Sequence, residues 1–437
     1  MKKILLVLCL MAPAALLAQM GKAYDMNING VKVIVQPSGN DIVEIRTIIK
    51  GGVQNYSNEQ AGIESLALSA LTECGTASMD KNSFKNALDA VSAQVGGWTE
   101  MDFATFRMNC IKTDLKKVWP LYVEALTAPR FDEKEFTRIR QDLITQIRSM
   151  ASQPDNETDR LARSTAFAGT AYAREPIGTE ATVSKLTPAA TKAYYKKLLH
   201  RGRIAVVIVG DIDRTELEAA VKSLLDKVPE GPQIKLQKQS FTATGNSFLP
   251  VKKDLATNYV QGITAAPQPG SPDYDAFVLA MRIFYTRHFV EIRSNNGLSY
   301  APATWFSGGL TPFANLFAST TEPNKYITVA RQLIDKIRRE GFTDDELRNM
   351  KTGYLTRTWY KQETNAEQAA SLAQNEAVHG NWKRALTIAD DMKKVSLADL
   401  NRVFNKYVTN ISWVLQGDPS KADPNLFKQK ETPAKTF

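Results

Sequence analysis

The stretch 291–300, EIRSNNGLSY, places two side chains with hydrogen-bonding chemistry on either side of a turn signal. The pattern predicts a helix that ends near Ser294, a turn over residues 295–297 and a strand over the last three residues. Such a turn would point the side chains of Arg293 and Tyr300 into one space. A helix-end arginine and a half-buried strand tyrosine with purely structural roles fit the same pattern, so the stretch alone leaves both interpretations open.

Common catalytic motifs are absent from the sequence. It contains no Gly-x-Ser-x-Gly, no Cys-x-x-Cys, no Gly-x-Gly-x-x-Gly and no phosphate loop. The only histidines are His200, His288 and His379, so no two imidazoles stand at a metal-binding spacing. We interpret each histidine as structural or solvent-facing.

The composition is that of a globular chain with a modest positive charge. Its 437 residues, 43% of them hydrophobic, suit two domains of about 200 residues each. Basic pairs such as Lys116-Lys117 and Arg338-Arg339 are dispersed among helical stretches and are not collected with aromatic residues. We therefore expect no nucleic-acid partner, despite a net charge of +9.

The N-terminal residues predict export. Lys2 and Lys3 precede an apolar stretch, and the small residue Ala18 suits a cleavage site, so residues 1–18 are interpreted as a signal peptide. We expect a periplasmic or otherwise exported protein with no membrane anchor, since no later stretch approaches the roughly 20 apolar residues of a membrane span. Cys74 and Cys110, which remain after cleavage, could form a disulfide or be small buried groups.

The order of predicted elements repeats along the chain. Three landmark pairs, Phe131 with Phe342, Leu186 with Val395 and Gly210 with Gly417, are separated by 211, 209 and 207 residues. Near-constant spacing indicates a duplicated unit, although its length is far above that of a solenoid repeat. Since strands come as hairpins and helices as groups, we predict an α+β fold of two homologous domains, each a largely antiparallel sheet with helices packed on one face.

The predicted boundaries follow from composition. The segment 231–250 is rich in Pro, Gly, Gln and Ser, which predicts a linker with at most one strand. The N-terminal domain would then comprise residues 19–230 and the C-terminal domain residues 251–437.

Several strings, in this order, resemble the pitrilysin or insulinase-like (M16) metallopeptidase family, specifically its short two-domain members. The resemblance spans nearly the whole mature chain and implies an M16 peptidase-like (LuxS/MPP-like) fold. The matching strings are Gly62 to Thr76, Pro176 to Thr179, Val209 to Asp211, Ile292-Arg293 with Gly297 to Tyr300, and Gly341 to Asp344.

The family's zinc motif is an inverted His-x-x-Glu-His on a helix, followed much later by a ligating carboxylate. Positions i and i+4 share a helix face, so two imidazoles can bind one Zn²⁺ beside the glutamate that acts as general base. The matching positions hold Glu64, Ala67 and Leu68, and the third ligand's place falls at Gln146. The resemblance thus implies a degenerate zinc site and a chain that binds no cofactor. We interpret Glu64 as an ordinary exposed or capping glutamate, since holding a stray cation would take a second carboxylate.

The resemblance gives Arg293 and Tyr300 a role in substrate binding. In the family such a pair comes from the second domain and faces the zinc site across a chamber. Arg293 would offer its fork of donors to peptide carbonyls or an acidic side chain, and Tyr300 a hydroxyl to the carbonyl under attack. The family pattern also places an extended peptide along a sheet edge near residues 96–99, where Gly96 replaces the usual asparagine.

A retained Arg/Tyr pair with a lost zinc site resembles the non-catalytic subunit of heterodimeric family members. Our leading hypothesis is an exported subunit that binds peptide and is active only with a homologous His-x-x-Glu-His partner, which supplies the zinc. Two alternatives stay open: a catalytically idle scaffold or interaction protein, and a stand-alone hydrolase with atypical ligands.

Overall fold

The computed structural model describes residues 22–430 of the chain. Its strands are β1 (Tyr24–Ile28), β2 (Val31–Pro37), β3 (Ile42–Lys50), β4 (Gln94–Thr99), β5 (Phe103–Ile111), β6 (Ile204–Gly210), β7 (Ser247–Lys252), β8 (Asn258–Ala265), β9 (Ala303–Ser307), β10 (Phe313–Thr320) and β11 (Ser412–Gly417). Its α-helices are α1 (Ile63–Glu73), α2 (Lys81–Asp89), α3 (Leu115–Thr127), α4 (Glu133–Ser152), α5 (Pro154–Ala166), α6 (Glu180–Val183), α7 (Pro188–Leu198), α8 (Arg214–Leu225), α9 (Tyr274–Phe289), α10 (Pro323–Glu340), α11 (Asp344–Tyr360), α12 (Asn365–Gln374), α13 (Arg384–Lys394), α14 (Leu397–Tyr407) and α15 (Pro424–Lys428). Two π-helical segments follow α9 and α12, at Val290–Asn295 and Asn375–His379.

The strands form two sheets with the same internal order. The first sheet runs β1-β2-β6-β3-β5-β4 and the second runs β7-β11-β8-β10-β9. In each sheet one pair is parallel, β2 with β6 and β7 with β11, and the remaining pairs are antiparallel. The second sheet therefore repeats the first without β1. The predicted α+β fold of two homologous, largely antiparallel units is confirmed.

Local sequence explains where the landmark helices begin. Asp132 precedes α4, and its side chain accepts a 3.1 Å hydrogen bond from the backbone N–H of Glu135. At the equivalent point before α11, Thr343 and Glu346 form a reciprocal capping box. These caps satisfy backbone donors that the first helical turn leaves free. Strand β6 is buried throughout, because Val206 and Ile208 face the core of the first half and Val207 and Val209 face α12 on the opposite side.

One helix of each half packs on the sheet of the other half. Helix α12 packs its Ala369, Leu372 and Ala373 on the face of the first sheet that carries Ile34 and Val207. Helix α5 packs on β8 and β11 of the second sheet, where Gln261 Nε2 donates a 2.8 Å hydrogen bond to Asp159 Oδ1. Within each half, the helices pack on one face of the sheet, as predicted. The other face of each sheet is covered by a helix from the opposite half, α12 on the first sheet and α5 on the second.

The boundaries predicted for the signal peptide, the two domains and the linker remain predictions. Residues 231–246 carry no helix or strand, and β7 then runs past residue 250, the predicted end of the linker. The predicted signal peptide, residues 1–18, lies outside the described residues. Within residues 22–430, no helix combines the length and the hydropathy that a membrane span needs.

Candidate functional site

The structure brings Arg293 and Tyr300 into direct contact. The guanidinium carbon of Arg293 lies 4.2 Å from the centre of the Tyr300 ring and 5.1 Å from that of Phe289. Tyr300 is 79% exposed. A guanidinium held against aromatic faces by cation–π attraction keeps its N–H edges free for hydrogen bonds. The pair therefore forms a fixed set of donors at the surface.

The helix and turn that position this pair form nearly as predicted, but the strand after the turn does not. Helix α9 continues into the π-helix Val290–Asn295, one residue beyond the predicted helix end, and Gly297 turns the chain with φ 62°. The predicted strand from Leu298 is wrong, because the strand begins at Ala303. Leu298 instead buries its side chain and donates its backbone N–H to Ile292 O at 2.9 Å, which closes the helix end.

Residues 64, 67 and 68, which the family resemblance matches to the zinc motif, lie on α1, against the edge strand β4. Ala67 and Leu68 are both fully buried in the core of the first half. A Cβ on Gly97 of β4 would stand 3.3 Å from the Cβ of Leu68 and 3.0 Å from the ring of Phe106. Glycine at this position therefore allows the strand to approach the helix closely.

Glu64 is fully buried, and its interpretation as an exposed or capping glutamate is wrong. Its carboxylate accepts hydrogen bonds from Asn55 Nδ2 at 3.0 Å, Thr99 Oγ1 at 3.1 Å and the Tyr194 hydroxyl at 2.5 Å. Burial raises the pKa of Glu64, and the three hydrogen bonds oppose that shift. The sequence of α1 did indicate that Glu64 is buried, since helical periodicity places Glu64 on the same face as the apolar residues Leu68 and Leu71.

A second layer of polar groups surrounds Glu64. Arg203 donates to the side-chain oxygen of Asn55 and, at 3.2 Å, to the backbone oxygen of Lys50. Burial lowers the pKa of Arg203, and burial with the nearby Glu64 carboxylate raises the pKa of Tyr194. The three hydrogen-bond partners of Glu64 come from three separate segments of the chain, which is why the sequence did not reveal them.

These residues do not fit a zinc ion. Alanine and leucine have no lone pairs to offer, and three hydrogen-bond donors already occupy the oxygens of Glu64. Gln146 is exposed on α4, whereas the buried residues of that helix include Leu143 and Ile144. Across residues 22–430 no cluster of three His, Cys, Asp or Glu side chains is arranged to hold a metal.

His200 adjoins the second layer around Glu64, where its Nε2 accepts a 3.4 Å hydrogen bond from Nε of Arg203. The other two histidines and the two cysteines are held in unreactive surroundings. Burial lowers the pKa of His288 to about 3 and that of His379 to about 4. The two thiols are buried and unpaired, and burial raises the pKa of Cys74 to about 12 and that of Cys110 to about 11. Thiols of this kind are poor nucleophiles at neutral pH.

A polar contact between the halves was missed by the sequence interpretation. Asp102 accepts hydrogen bonds from the Tyr172 hydroxyl and, at 2.9 Å, from the backbone N–H of Leu310. The Tyr172 hydroxyl in turn accepts the N–H of Thr311 at 3.1 Å, beside a cavity of about 440 Å³. The contact fixes the loop between β9 and β10 of the second half against the first.

Comparison with known proteins relates this architecture to one peptidase family. The model of the insulinase (peptidase family M16) domain matches residues 32–180, and that of the peptidase M16 inactive domain matches residues 185–354. An uncharacterized zinc protease of Streptomyces coelicolor is 23% identical over 297 residues, which cover 62% of each chain. A probable zinc protease of Escherichia coli, PqqL, is 24% identical over 211 residues, 46% of this chain and 22% of that protein.

Solved structures share the fold at low sequence identity. A peptidase M16 inactive domain from Pseudomonas fluorescens superposes with a TM-score of 0.82 and 17% identity, over 90% of this chain and 98% of that one. The periplasmic protease PqqL superposes with a TM-score of 0.78 and 15% identity, over 92% of this chain and 47% of that one. The sequence matches to the Streptomyces coelicolor protein and to PqqL cover less than two thirds of the length of each of those relatives.

Proposed function

Because the chain belongs to the insulinase-like peptidase family M16, we propose that it is the non-catalytic, substrate-binding subunit of an exported heterodimeric zinc metallopeptidase. The observation that carries the proposal is the stacking of Arg293 on the exposed ring of Tyr300. This donor pair is present in a chain whose zinc positions hold Glu64, Ala67 and Leu68. A homologous partner with His-x-x-Glu-His would supply the metal and the general base.

The two side chains have distinct parts in this proposal. The Arg293 guanidinium, held against Phe289 and Tyr300, directs its N–H groups to backbone carbonyls or a carboxylate of the peptide. The Tyr300 hydroxyl donates a hydrogen bond to the carbonyl oxygen under attack, where negative charge develops. Both groups bind and orient the peptide, and neither transfers a proton.

Two features of the relatives support the wider setting. The Streptomyces coelicolor relative and PqqL are described as zinc proteases, and PqqL is described as periplasmic. These descriptions accord with a peptide substrate and with the export that the first 18 residues predict.

The test is reconstitution with the His-x-x-Glu-His homologue encoded by the same organism. We expect no peptide cleavage by this chain alone and cleavage by the mixture. Tyr300→Phe should lower kcat/KM of the mixture by about 100-fold, the usual effect of removing one oxyanion donor. Arg293→Ala should lower it by at least about tenfold, as for the loss of hydrogen bonds from a charged group. Co-elution in gel filtration must persist in each variant.

Matched controls separate this role from the alternatives. Arg348→Ala and Tyr360→Phe alter exposed residues of the same types and should leave cleavage unchanged. Full activity of the Arg293 and Tyr300 variants in an intact assembly would overturn the proposal in favour of a scaffold. Chelator-sensitive cleavage by the isolated chain would overturn it in favour of a stand-alone hydrolase.

A further inference from the structure

A cleft of about 650 Å³ lies between α9, α11 and β9 in the second half. By the order of elements, these three correspond to α1, α4 and β4 of the first half, which enclose the degenerate zinc positions. In the first half the space is filled, since α4 buries Phe136, Ile139, Leu143 and Ile144. In the second half α11 buries only Leu347 along its whole length, so the corresponding space stays open.

One wall of the cleft is an unpaired strand edge. Among the described strands, β9 is the last of its sheet and pairs with β10 alone, in the register Thr304 to Leu316. Thr304, Trp305 and Phe306 of β9 line the cleft. The outer edge of such a strand presents backbone N–H and C=O groups that can pair with an added strand.

The cleft carries positive charge with which no acid among the described residues forms an ion pair. Arg282 of α9 and Arg357 of α11 both line it, and within residues 22–430 neither forms an ion pair. The cleft lining also includes the acid Glu346, but this carboxylate pairs with another arginine. Both of its oxygens accept 2.6 Å hydrogen bonds from Arg287. An anion entering the cleft would therefore meet two unpaired guanidinium groups.

Arg282 is held in a setting that favours such an anion. Its guanidinium is partly buried and lies 5.2 Å from the centre of the Tyr354 ring. Burial, and the like charge of Arg357, lower the pKa of Arg282. A carboxylate bound between the two arginines would oppose both effects, because an opposite charge stabilises the charged guanidinium.

We propose that this cleft is a second peptide-binding site, which adds an extended acidic segment to the edge of β9 and places a carboxylate between Arg282 and Arg357. This second site rests on the proposed function, because its occupant is a peptide, but it does not involve Arg293 or Tyr300. It predicts a substrate preference for a stretch with Asp or Glu at alternate positions. Alternation follows from the sheet, because every second side chain of an added strand faces the same wall.

The test measures binding of a labelled, end-capped ten-residue peptide of alternating valine and glutamate to the isolated full chain by fluorescence anisotropy. We expect affinity at least about tenfold above that of the same peptide with glutamine, as for hydrogen bonds to charged groups. The double variant Arg282→Gln/Arg357→Gln should abolish the difference. N-methylation of alternate backbone nitrogens of the peptide should also weaken binding, because it removes donors to the strand edge.

Two controls exclude trivial explanations. Lys196→Gln/Lys197→Gln removes the same charge from an exposed helix and should leave the preference intact, which excludes general attraction to a basic protein. Arg293→Ala should leave it intact as well, so a failure of the Arg/Tyr assignment is distinguishable from a failure of this one. Equal affinity for both peptides, or a preference that survives in the double cleft variant, would overturn the inference.

Discussion

The hydroxyl of Tyr194 on α7 donates a 2.5 Å hydrogen bond to Oε2 of Glu64, which lies 130 residues earlier on α1. This bond, with those from Asn55 and Thr99, satisfies a carboxylate at the position that the family resemblance matches to the first histidine of the zinc motif. A polar network made by this chain's own side chains thus surrounds Glu64. It also joins α1, α7 and the edge strand β4 to one another.

Removal of the Tyr194 hydroxyl should destabilise the first half. Tyr194→Phe leaves the buried Glu64 with one donor fewer, which costs about 1–3 kcal/mol for an unsatisfied buried group. The free energy of unfolding in urea measures the effect. Tyr285→Phe, at a ring that is 42% exposed, is the matched control and should change it by less than about 0.5 kcal/mol. Equal stability of Tyr194→Phe and wild type would contradict the assigned network.

Glu64→Gln should alter the dependence of stability on pH. Burial holds the pKa of Glu64 above its ordinary value of about 4.3, so the unfolded chain ionises at lower pH than the folded one. Wild type therefore loses stability as pH rises from about 4 through the folded pKa, because the unfolded state binds fewer protons there. Glutamine cannot ionise and removes this loss.

The measurement is urea unfolding of both proteins at pH 4, 6 and 8. The stability of Glu64→Gln relative to wild type should rise with pH across this range. The neighbours Asn55, Thr99, Tyr194 and Arg203 stay unchanged in the variant, so the difference reports on Glu64. A relative stability that falls with pH would mean that the carboxylate is better stabilised when ionised.

The duplicated fold could be predicted because its signals are local. Turn residues, caps and apolar runs near Phe131, Phe342 and Gly210 recur at almost constant spacing, and the structure places equivalent elements there. The exchange of α5 and α12 between the halves could not be predicted, because both helices are short amphipathic segments whose sequence does not say which sheet they cover.

The candidate site was predicted unevenly for the same reason. Arg293 and Tyr300 lie seven residues apart, so a local turn predicts that they meet, and they do. The burial of Glu64 follows from residues far along the chain, above all Tyr194. The cleft beside Arg282 depends on how far α11 stands from α9, which no short motif encodes.

The loop between β9 and β10 should tolerate no side chain at Gly309. A Cβ there would lie 2.1 Å from Asp102 Oδ2, whose carboxylate is held by Tyr172 and Leu310. Gly309→Ala should lower the free energy of unfolding by about 1–3 kcal/mol, as overpacking does. Gly245→Ala is the control, since nothing lies within 4 Å of its added Cβ, and it should be nearly neutral.

The isolated chain should not retain zinc. Its positions 64, 67 and 68 offer a single carboxylate that three donors already satisfy. After dialysis against zinc and gel filtration, mass spectrometry should find less than about 0.1 zinc per chain, and a chelator should leave the melting temperature unchanged. One zinc per chain, lost together with stability on chelation, would contradict the assignment of this site.

The central claim is that Tyr300 touches peptide in an assembly whose metal belongs to another subunit. Its most direct test replaces Tyr300 with the photo-crosslinker p-benzoylphenylalanine and mixes the chain with a His-x-x-Glu-His partner whose general base is changed to glutamine, so that peptide binds without being cleaved. We predict a crosslink from position 300 to the labelled peptide, and none from the same crosslinker at Tyr360, which is also exposed. An intact assembly in which position 300 labels no peptide would contradict the claim.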